Sequence, residues 1–290
     1  VYFFYPRSTE IPAIPATLLL HRIHEGAGGM ADNGQRVALV TGGTSGIGLA
    51  VAETLAGRGL KVFICSRNPE AVRETAGKLR SNGCQADGTA ADVRRREDVE
   101  RLVGAAVERY GRVDVLVNNA GRNGGGVTAE IDDDLWYDVI DTNLNSVFLM
   151  TREVLRSGGL LDRGWGRIIN IASTGGKQGV VLGAPYSASK HGVVGFSKAL
   201  GIELAKTGVT VNAVCPGYVE TPMAQRVRQG YAAHHNTTEE AILERFEAKI
   251  PLGRYSTAEE VAGLVGYLVG DEAAPVTAQA MNVCGGLGNY

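Results

Sequence analysis

The stretch Arg36-Val37-Ala38-Leu39-Val40-Thr41-Gly42-Gly43-Thr44-Ser45-Gly46-Ile47-Gly48 runs from an apolar, β-branched segment through a glycine-rich turn into an apolar helical pattern. Four consecutive apolar residues, Val37 to Val40, suit a strand of a parallel sheet buried on both faces. The glycines permit a tight reversal into a helix whose first backbone N–H groups can approach a phosphate. The spacing is T-G-x-x-x-G-x-G and not the G-x-G-x-x-G of the commonest dinucleotide fingerprint. It still predicts a cradle for a pyrophosphate, built from Thr41, Gly42, Thr44, Ser45, Gly46, Ile47 and Gly48.

Outward from this turn, short β-rich runs alternate with longer helical patterns. Strands are predicted over 36–41, 61–66, 85–90, 113–118, 166–172, 210–215 and 279–283, with helices between them. Pro222 to about residue 250 forms a longer insertion after the sixth strand and reads as a helical lid. The predicted fold is α/β, a doubly wound, Rossmann-like, parallel seven-stranded sheet whose ligands bind beyond the carboxyl ends of the strands.

The chain has 290 residues, 44% hydrophobic and 21% charged, enough for one large core. A single domain is expected over 34–290, with residues 1–33 an N-terminal extension. That extension holds prolines and Gly26-Ala27-Gly28-Gly29, lacks the features of a secretory signal, and contains Met30 as an alternative start. A net charge of −2 gives no global attraction to nucleic acid or anionic membrane. The apolar runs fall short of the roughly 20 residues that cross a bilayer. Cys65, Cys84, Cys215 and Cys284 show no C-x-x-C spacing, and their reduced, packed state is expected of a cytoplasmic enzyme.

After the second strand comes Ser66-Arg67-Asn68, with no carboxylate to receive a ribose hydroxyl. Arg67 can pair with a 2′-phosphate, which predicts NADPH/NADP over NAD; the competing reading is an ordinary solvated arginine. Asp92 and Val93 follow the third strand. There Asp92 either accepts from the adenine amino group, beside the Val93 backbone, or caps a helix. Asn119, Ala120 and Gly121 follow the fourth strand, small enough for a ribose and nicotinamide to pass.

Tyr186-Ser187-Ala188-Ser189-Lys190 places a phenol and an ammonium about one helical turn apart on one face. The cation favours phenolate and is expected to lower the tyrosine from about 10 toward neutrality. Ser173, at the end of the fifth strand, could hydrogen-bond the same substrate oxygen. The trio predicts proton transfer to or from that oxygen, although Tyr-x-x-x-Lys alone is a weak pattern. His191 is expected to be packed or capping. His234 and His235 lack companions at ligand spacing, so no metal site is predicted.

In their order and separations, Thr41 to Gly48, Asn118 to Gly121, Ser173, Tyr186-x-x-x-Lys190 and Pro216-Gly217 resemble the short-chain dehydrogenase/reductase family over about residues 35–290. The resemblance implies Tyr186 as general acid, Lys190 as its perturber and a contact of the nicotinamide ribose, and Ser173 as the orienting hydroxyl. It implies Asn143 as a fourth catalytic member, holding a water that links Lys190 to solvent. Pro216, Gly217, Val219 and Thr221 would follow the cofactor.

Gly121 to Gly126, Ser173 to Val180 and Asn282 to Tyr290 are similar, more narrowly, to the ketoreductases of aromatic (type II) polyketide synthases of actinomycetes. That similarity implies NADPH-dependent reduction of one keto group of a polyketide on an acyl carrier protein, by a homotetramer. It implies Asn123, Thr174, Gln178, Val180, Met223 and Tyr231 as substrate residues, with helix packing the competing reading of Met223 and Tyr231. Asn123-Gly124-Gly125 stands where a close member has Pro-Gly-Gly, a departure that bears on facial selectivity. Arg67, Arg94 and Arg122 are expected to form a basic patch for the carrier protein or its phosphopantetheine arm. The alternatives are a β-ketoacyl-carrier-protein reductase of fatty acid synthesis, a general ketone or alcohol dehydrogenase, and a non-enzymatic NADP-sensing module.

Overall fold

The β-branched runs form seven strands in a computed structural model that describes residues 35–290. They are β1 (Val37–Thr41), β2 (Lys61–Ser66), β3 (Ala86–Ala90), β4 (Val115–Asn118), β5 (Gly166–Ile171), β6 (Val209–Pro216) and β7 (Ala280–Val283). The sheet order is β3-β2-β1-β4-β5-β6-β7, and every described pairing is parallel. Strand order reverses between β1 and β4, so a crevice opens at their carboxyl ends. Observed strands differ from the predicted ones by at most two residues at either end. The extension expected over residues 1–33 lies outside the described residues.

The helices are α1 (Gly46–Gly57), α2 (Pro69–Ser81), α3 (Arg96–Tyr110), α4 (Asp133–Ile140), α5 (Ser146–Ser157), α6 (Ala184–Glu203), α7 (Pro222–His234), α8 (Glu239–Glu247) and α9 (Ala258–Val269). Their ends carry local signals. Asn68 caps α2 by accepting from the N–H groups of Glu70 and Ala71, with Pro69 opening the helix. Thr257 and Glu260 form a reciprocal capping box at α9. Gly111, with φ of 86°, ends α3 in the left-handed region.

On one face of the sheet, Val51 and Leu55 of α1 and Val261 and Val265 of α9 bury against Val40, Ile64 and Val117. On the other, Val147 of α5 and Val193 of α6 pack against Ala172, Ala213 and Cys215. A buried polar ladder crosses this second layer. Asn118 Nδ2 donates to Asn170 Oδ1 at 2.8 Å, and Asn170 Nδ2 donates to Ser197 Oγ of α6 at 2.9 Å. It ties β4, β5 and α6 together immediately beneath the strand ends.

The insertion after β6 is helical, as expected, and consists of α7 and α8. Arg228 is buried and joins its parts, pairing bidentately with Glu220 at 2.7 and 2.9 Å and with Glu239 at 3.1 Å.

Candidate active site

The glycine-rich turn leaves β1 with φ of 64° at Gly42 and 52° at Gly46, a region that favours glycine. A Cβ on Gly48 would lie 2.2 Å from Gly42 O and 2.4 Å from Asn119 Nδ2, so the start of α1 presses directly on the turn. Asn119 fastens the turn to β4: its Nδ2 donates to Thr41 O at 2.9 Å and Gly42 O at 3.2 Å. Thr41 Oγ1 accepts from the backbone N–H groups of Asn119 and Ala120, both at 3.0 Å. Ser45 precedes α1 without a side-chain capping bond, which leaves N–H groups of that first turn open to a ligand. Thr221 caps α7, and its Cγ2 lies 3.2 Å from where a Gly46 Cβ would stand. The segment after β6 therefore borders the same turn. Gly217 N donates to Val283 O at 2.9 Å, and Val219 bridges to Ser256.

Arg67 is exposed one residue beyond β2 and lines a pocket of about 240 Å³ with Ala90, Ala91, Asp92, Asp98 and Arg101. Arg101, absent from the sequence expectation, is the second cation of that wall. The capping reading of Asp92 is corrected. α3 starts four residues later, after Arg95, and Asp92 instead accepts from Arg94 through both the backbone and the guanidinium. That bond holds its carboxyl below the usual range.

The expected basic patch is also corrected. Arg94 pairs with Asp92 and Asp138, and Arg122 pairs with the same Asp138. Asp138 lies on α4, far from either arginine in sequence, so spacing gave no sign that it would neutralise them.

Asn143 is 1% exposed and sits in a π-helical turn, Asp141–Asn145, between α4 and α5. Such turns recur at functional sites because they re-aim one side chain. Its Oδ1 accepts from Arg122 N at 2.8 Å, and its Nδ2 donates to Arg122 O at 2.9 Å and Ser189 Oγ at 3.1 Å. Both amide protons are thus engaged by protein. Ser189 Oγ in turn donates to Tyr186 O at 2.7 Å, linking Asn143 to the helix that carries the tyrosine. Ser189 lies inside Tyr186-x-x-Ser189-Lys190, a spacing that marks the tyrosine and lysine but gives the serine no role.

Lys190 and Tyr186 come from the first two turns of α6. Lys190 Nζ donates to Ile171 O at 2.8 Å and lies 5.8 Å from the Tyr186 ring centroid. A Cβ on Gly121 would stand 3.2 Å from Asn143 Oδ1 and 3.7 Å from Lys190 Nζ, so the missing side chain keeps a passage open between them. Ser173 precedes a 3₁₀ turn, Thr174–Gly176, and its Oγ accepts from Gly175 N at 3.0 Å. Ser173 Oγ also acts on the Tyr186 phenol, drawing its pKa down against the effect of burial.

The structure reverses the expected direction for Tyr186. Burial raises its phenol above the ordinary value of 10, outweighing the lowering by Ser173. Lys190 is buried as well, and burial pulls its ammonium from 10.5 down to about 8. Helical spacing places a cation near the ring; it says nothing of the dehydration both groups undergo. Tyr186 is consequently held protonated, the state a proton donor requires.

Thr174 is buried in the turn after Ser173, whereas Gln178 and Val180 are exposed beyond it. Asn123 is exposed, and Gly126 N donates to Leu182 O at 2.8 Å, tying the loop after Asn123 to the one after Val180. Met223 is half-buried on α7. Tyr231 packs edge-on against Phe246 at 5.4 Å, within a stack that continues through Tyr218 to Tyr255. The helix-packing reading therefore describes its ring. His191 is exposed, contrary to expectation, and its Nδ1–H donates to Ser187 O at 2.8 Å. Among the described residues no group of three His, Cys, Asp or Glu is placed to hold a metal ion. No described helix is long and apolar enough to cross a membrane.

Comparison with known proteins agrees with this geometry. The short chain dehydrogenase family matches residues 36–232. A protein of Streptomyces virginiae, named as the ketoacyl reductase of a monensin polyketide synthase, is 69% identical over 261 residues, 90% of this chain and all of that one. A ketoacyl reductase so named from Streptomyces coelicolor is 62% identical over the same shares. Among solved structures, a single-substitution variant of actinorhodin polyketide ketoreductase, crystallised with NADPH, superposes with a TM-score of 0.87 at 62% identity, covering 90% of this chain and 100% of that chain. A parallel sheet that reverses at β1 and β4, a glycine turn there, and Ser173, Tyr186 and Lys190 around one cleft all have one origin: the chain belongs to the short-chain dehydrogenase family.

Proposed function

We propose that this chain is an NADPH-dependent ketoreductase that reduces one keto group of an aromatic polyketide intermediate held on an acyl carrier protein. The observation that carries the reading is the Tyr186 ring 5.8 Å from the buried Lys190 ammonium, which is anchored on Ile171 O at 2.8 Å, with Ser173 two residues beyond that carbonyl at the end of β5. The identities of 62–69% to polyketide ketoacyl reductases supply the substrate class.

The residues fit NADPH. Gly42, Gly43 and Gly48 let the turn close on Asn119, Ile64 and its own backbone, where a Cβ would lie 2.9, 2.8 and 2.2 Å from the nearest atom, and so hold it in the tight shape a cradle needs. The first turn of α1 has N–H groups for the pyrophosphate, and Arg67 with Arg101 faces the pocket where a 2′-phosphate would lie. When bound, NADPH supplies hydride to the ketone carbon. Ser173 orients the ketone oxygen through its hydroxyl, and Tyr186 donates its proton to that oxygen as negative charge builds there. Lys190 stabilises the tyrosinate left behind, and its link to Ile171 O fixes where the ammonium sits. Asn143 holds the Arg122 backbone and, through Ser189, the start of α6. Proton return from solvent past Asn143 completes the cycle.

In this reading residues 34–290 are the catalytic domain. Asn123, Thr174, Gln178 and Val180 line the substrate cleft, and Met223 faces it from α7 of the lid, which the packed Tyr231 ring helps to hold together. Trp136, Tyr137 and Phe148 of α4 and α5 are exposed apolar side chains of the kind that a homotetramer would cover. The four free thiols suit the cytoplasm.

The test follows NADPH oxidation with a bulky bicyclic ketone and an acetoacetyl thioester side by side. Preference for the bicycle is expected. Preference for the thioester would move the assignment to fatty acid synthesis, and no turnover of either would remove the ketoreductase reading.

A further inference from the structure

We propose that Lys177 is a positioning residue, which clamps the turn carrying Ser173 between α6 and the residues that follow β7; the proposal rests on the reading of Ser173 given above. The turn is a small closed unit. Gly176 N donates to Ser173 O at 2.9 Å, and Lys177 N and Gln178 N both donate to Thr174 O at 3.0 Å. On its inner side it presses on the backbone of α6 at the catalytic lysine: a Cβ on Gly176 would lie 2.5 Å from Lys190 O. Nothing but glycine allows that approach, so the spacing between Ser173 and α6 is set by contact.

On its outer side the turn is held by the Lys177 ammonium. Nζ donates to Ala280 O at 3.0 Å, Asn282 Oδ1 at 2.9 Å and Tyr290 O at 3.1 Å. These bonds use all three ammonium protons, on β7 and on the segment beyond it. The Tyr290 ring stands 5.3 Å from the same nitrogen, and Tyr290 OH donates to Thr174 O at 3.4 Å, back into the turn. Asn282 Nδ2 donates to Gly288 O at 2.9 Å, which folds the segment beside the turn.

The same segment reaches the lid. Leu252 N donates to Gly285 O at 3.0 Å, and Gly285 and Gly286, with φ of 59° and 86°, leave room for Ile250 and Pro251. One stretch after β7 therefore touches both the serine turn and the end of the lid. Lys177 joins the two. Loosening it lets Ser173 drift relative to Tyr186 while the glycine turn at the end of β1, two strands away from β5 and without a hydrogen bond to Lys177, stays as it is.

The test is Lys177→Met, which keeps the stem and removes the charge, with Lys177→Arg as the conservative partner. Amide hydrogen exchange at Gly176, Lys177 and Gln178 is expected to quicken tenfold or more in Lys177→Met. The kcat for ketone reduction should fall about tenfold, as small misplacements of a reacting group do. NADPH affinity should stay within about twofold, because uniform binding is untouched. Lys177→Arg should recover most of both losses. If Lys177→Met does not fold, Asn282→Ala cuts one of the three anchors and should move exchange and kcat the same way, less far. Unchanged exchange, wild-type kcat, or an equal loss of NADPH affinity would overturn the proposal. Exchange reads the clamp even if the wild-type chain turns over no ketone, so failure of the ketoreductase reading and failure of this one are distinguishable.

Discussion

Lys190→Met should abolish chemistry and at the same time stabilise the fold. Lys190 is 5% exposed, and burial draws its ammonium from 10.5 to about 8. At pH 7 the group is charged in both states, so the folded chain bears the full penalty of dehydrating it. The penalty fades between about pH 8 and 10.5, where the folded form has lost its proton and the unfolded form has kept it. With ~1.4 kcal/mol for each tenfold change in acidity, the penalty at pH 7 is about 3 kcal/mol. Removing the ammonium also forfeits its bond to Ile171 O, worth about 1 kcal/mol, which leaves a net gain near 2 kcal/mol. For a domain of this size that is a rise in Tm of about 4–8 °C. Calorimetry of the wild type and the variant at pH 7 and pH 10 measures it. A Tm at pH 7 equal to or below wild type, or an advantage undiminished at pH 10, would refute the reasoning.

Gly48→Ala would place a methyl 2.2 Å from Gly42 O and should cost about 1–3 kcal/mol, with NADPH affinity lower by tenfold or more in a fluorescence titration. Gly104→Ala, on the exposed face of α3 with nothing within 4 Å, should instead raise stability by about 0.5–1 kcal/mol in urea unfolding. Arg67→Asp should raise the KM for NADPH far more than that for NADH in parallel initial-rate measurements, and equal effects would remove its pairing with a 2′-phosphate.

The sheet was legible because each strand is a short β-branched run buried on both faces, and β2 was bounded correctly at Lys61 and Ser66. β4 was placed two residues early because Val113 is as apolar and buried as the strand itself, though it pairs outside the ladder. The glycine turn was legible from its spacing, but its fastening by the Asn119 side chain was not, since that bond spans 78 residues. The π turn at Asn143 has no sequence signature. At Tyr186 the spacing points the wrong way, because it reports proximity of charge and not the loss of water. The arginine patch is curtailed for a related reason: Asp92 and Asp138 together pair with Arg94 and Arg122, and only the fold brings Asp138 there from α4. Lys177 was visible in the sequence as an ordinary cation, with its three acceptors more than a hundred residues downstream.

The claim at the centre of the account is that Tyr186 donates the proton, and Tyr186→Phe tests it most directly. NADPH absorbance, followed with a bicyclic ketone, should show turnover lower by about 10²–10⁴-fold, as loss of a general acid produces. NADPH binding, titrated by fluorescence, should stay within about twofold, because the phenol takes no part in the glycine cradle. Turnover near wild type would contradict the account and leave Tyr186 as one more half-buried aromatic on α6.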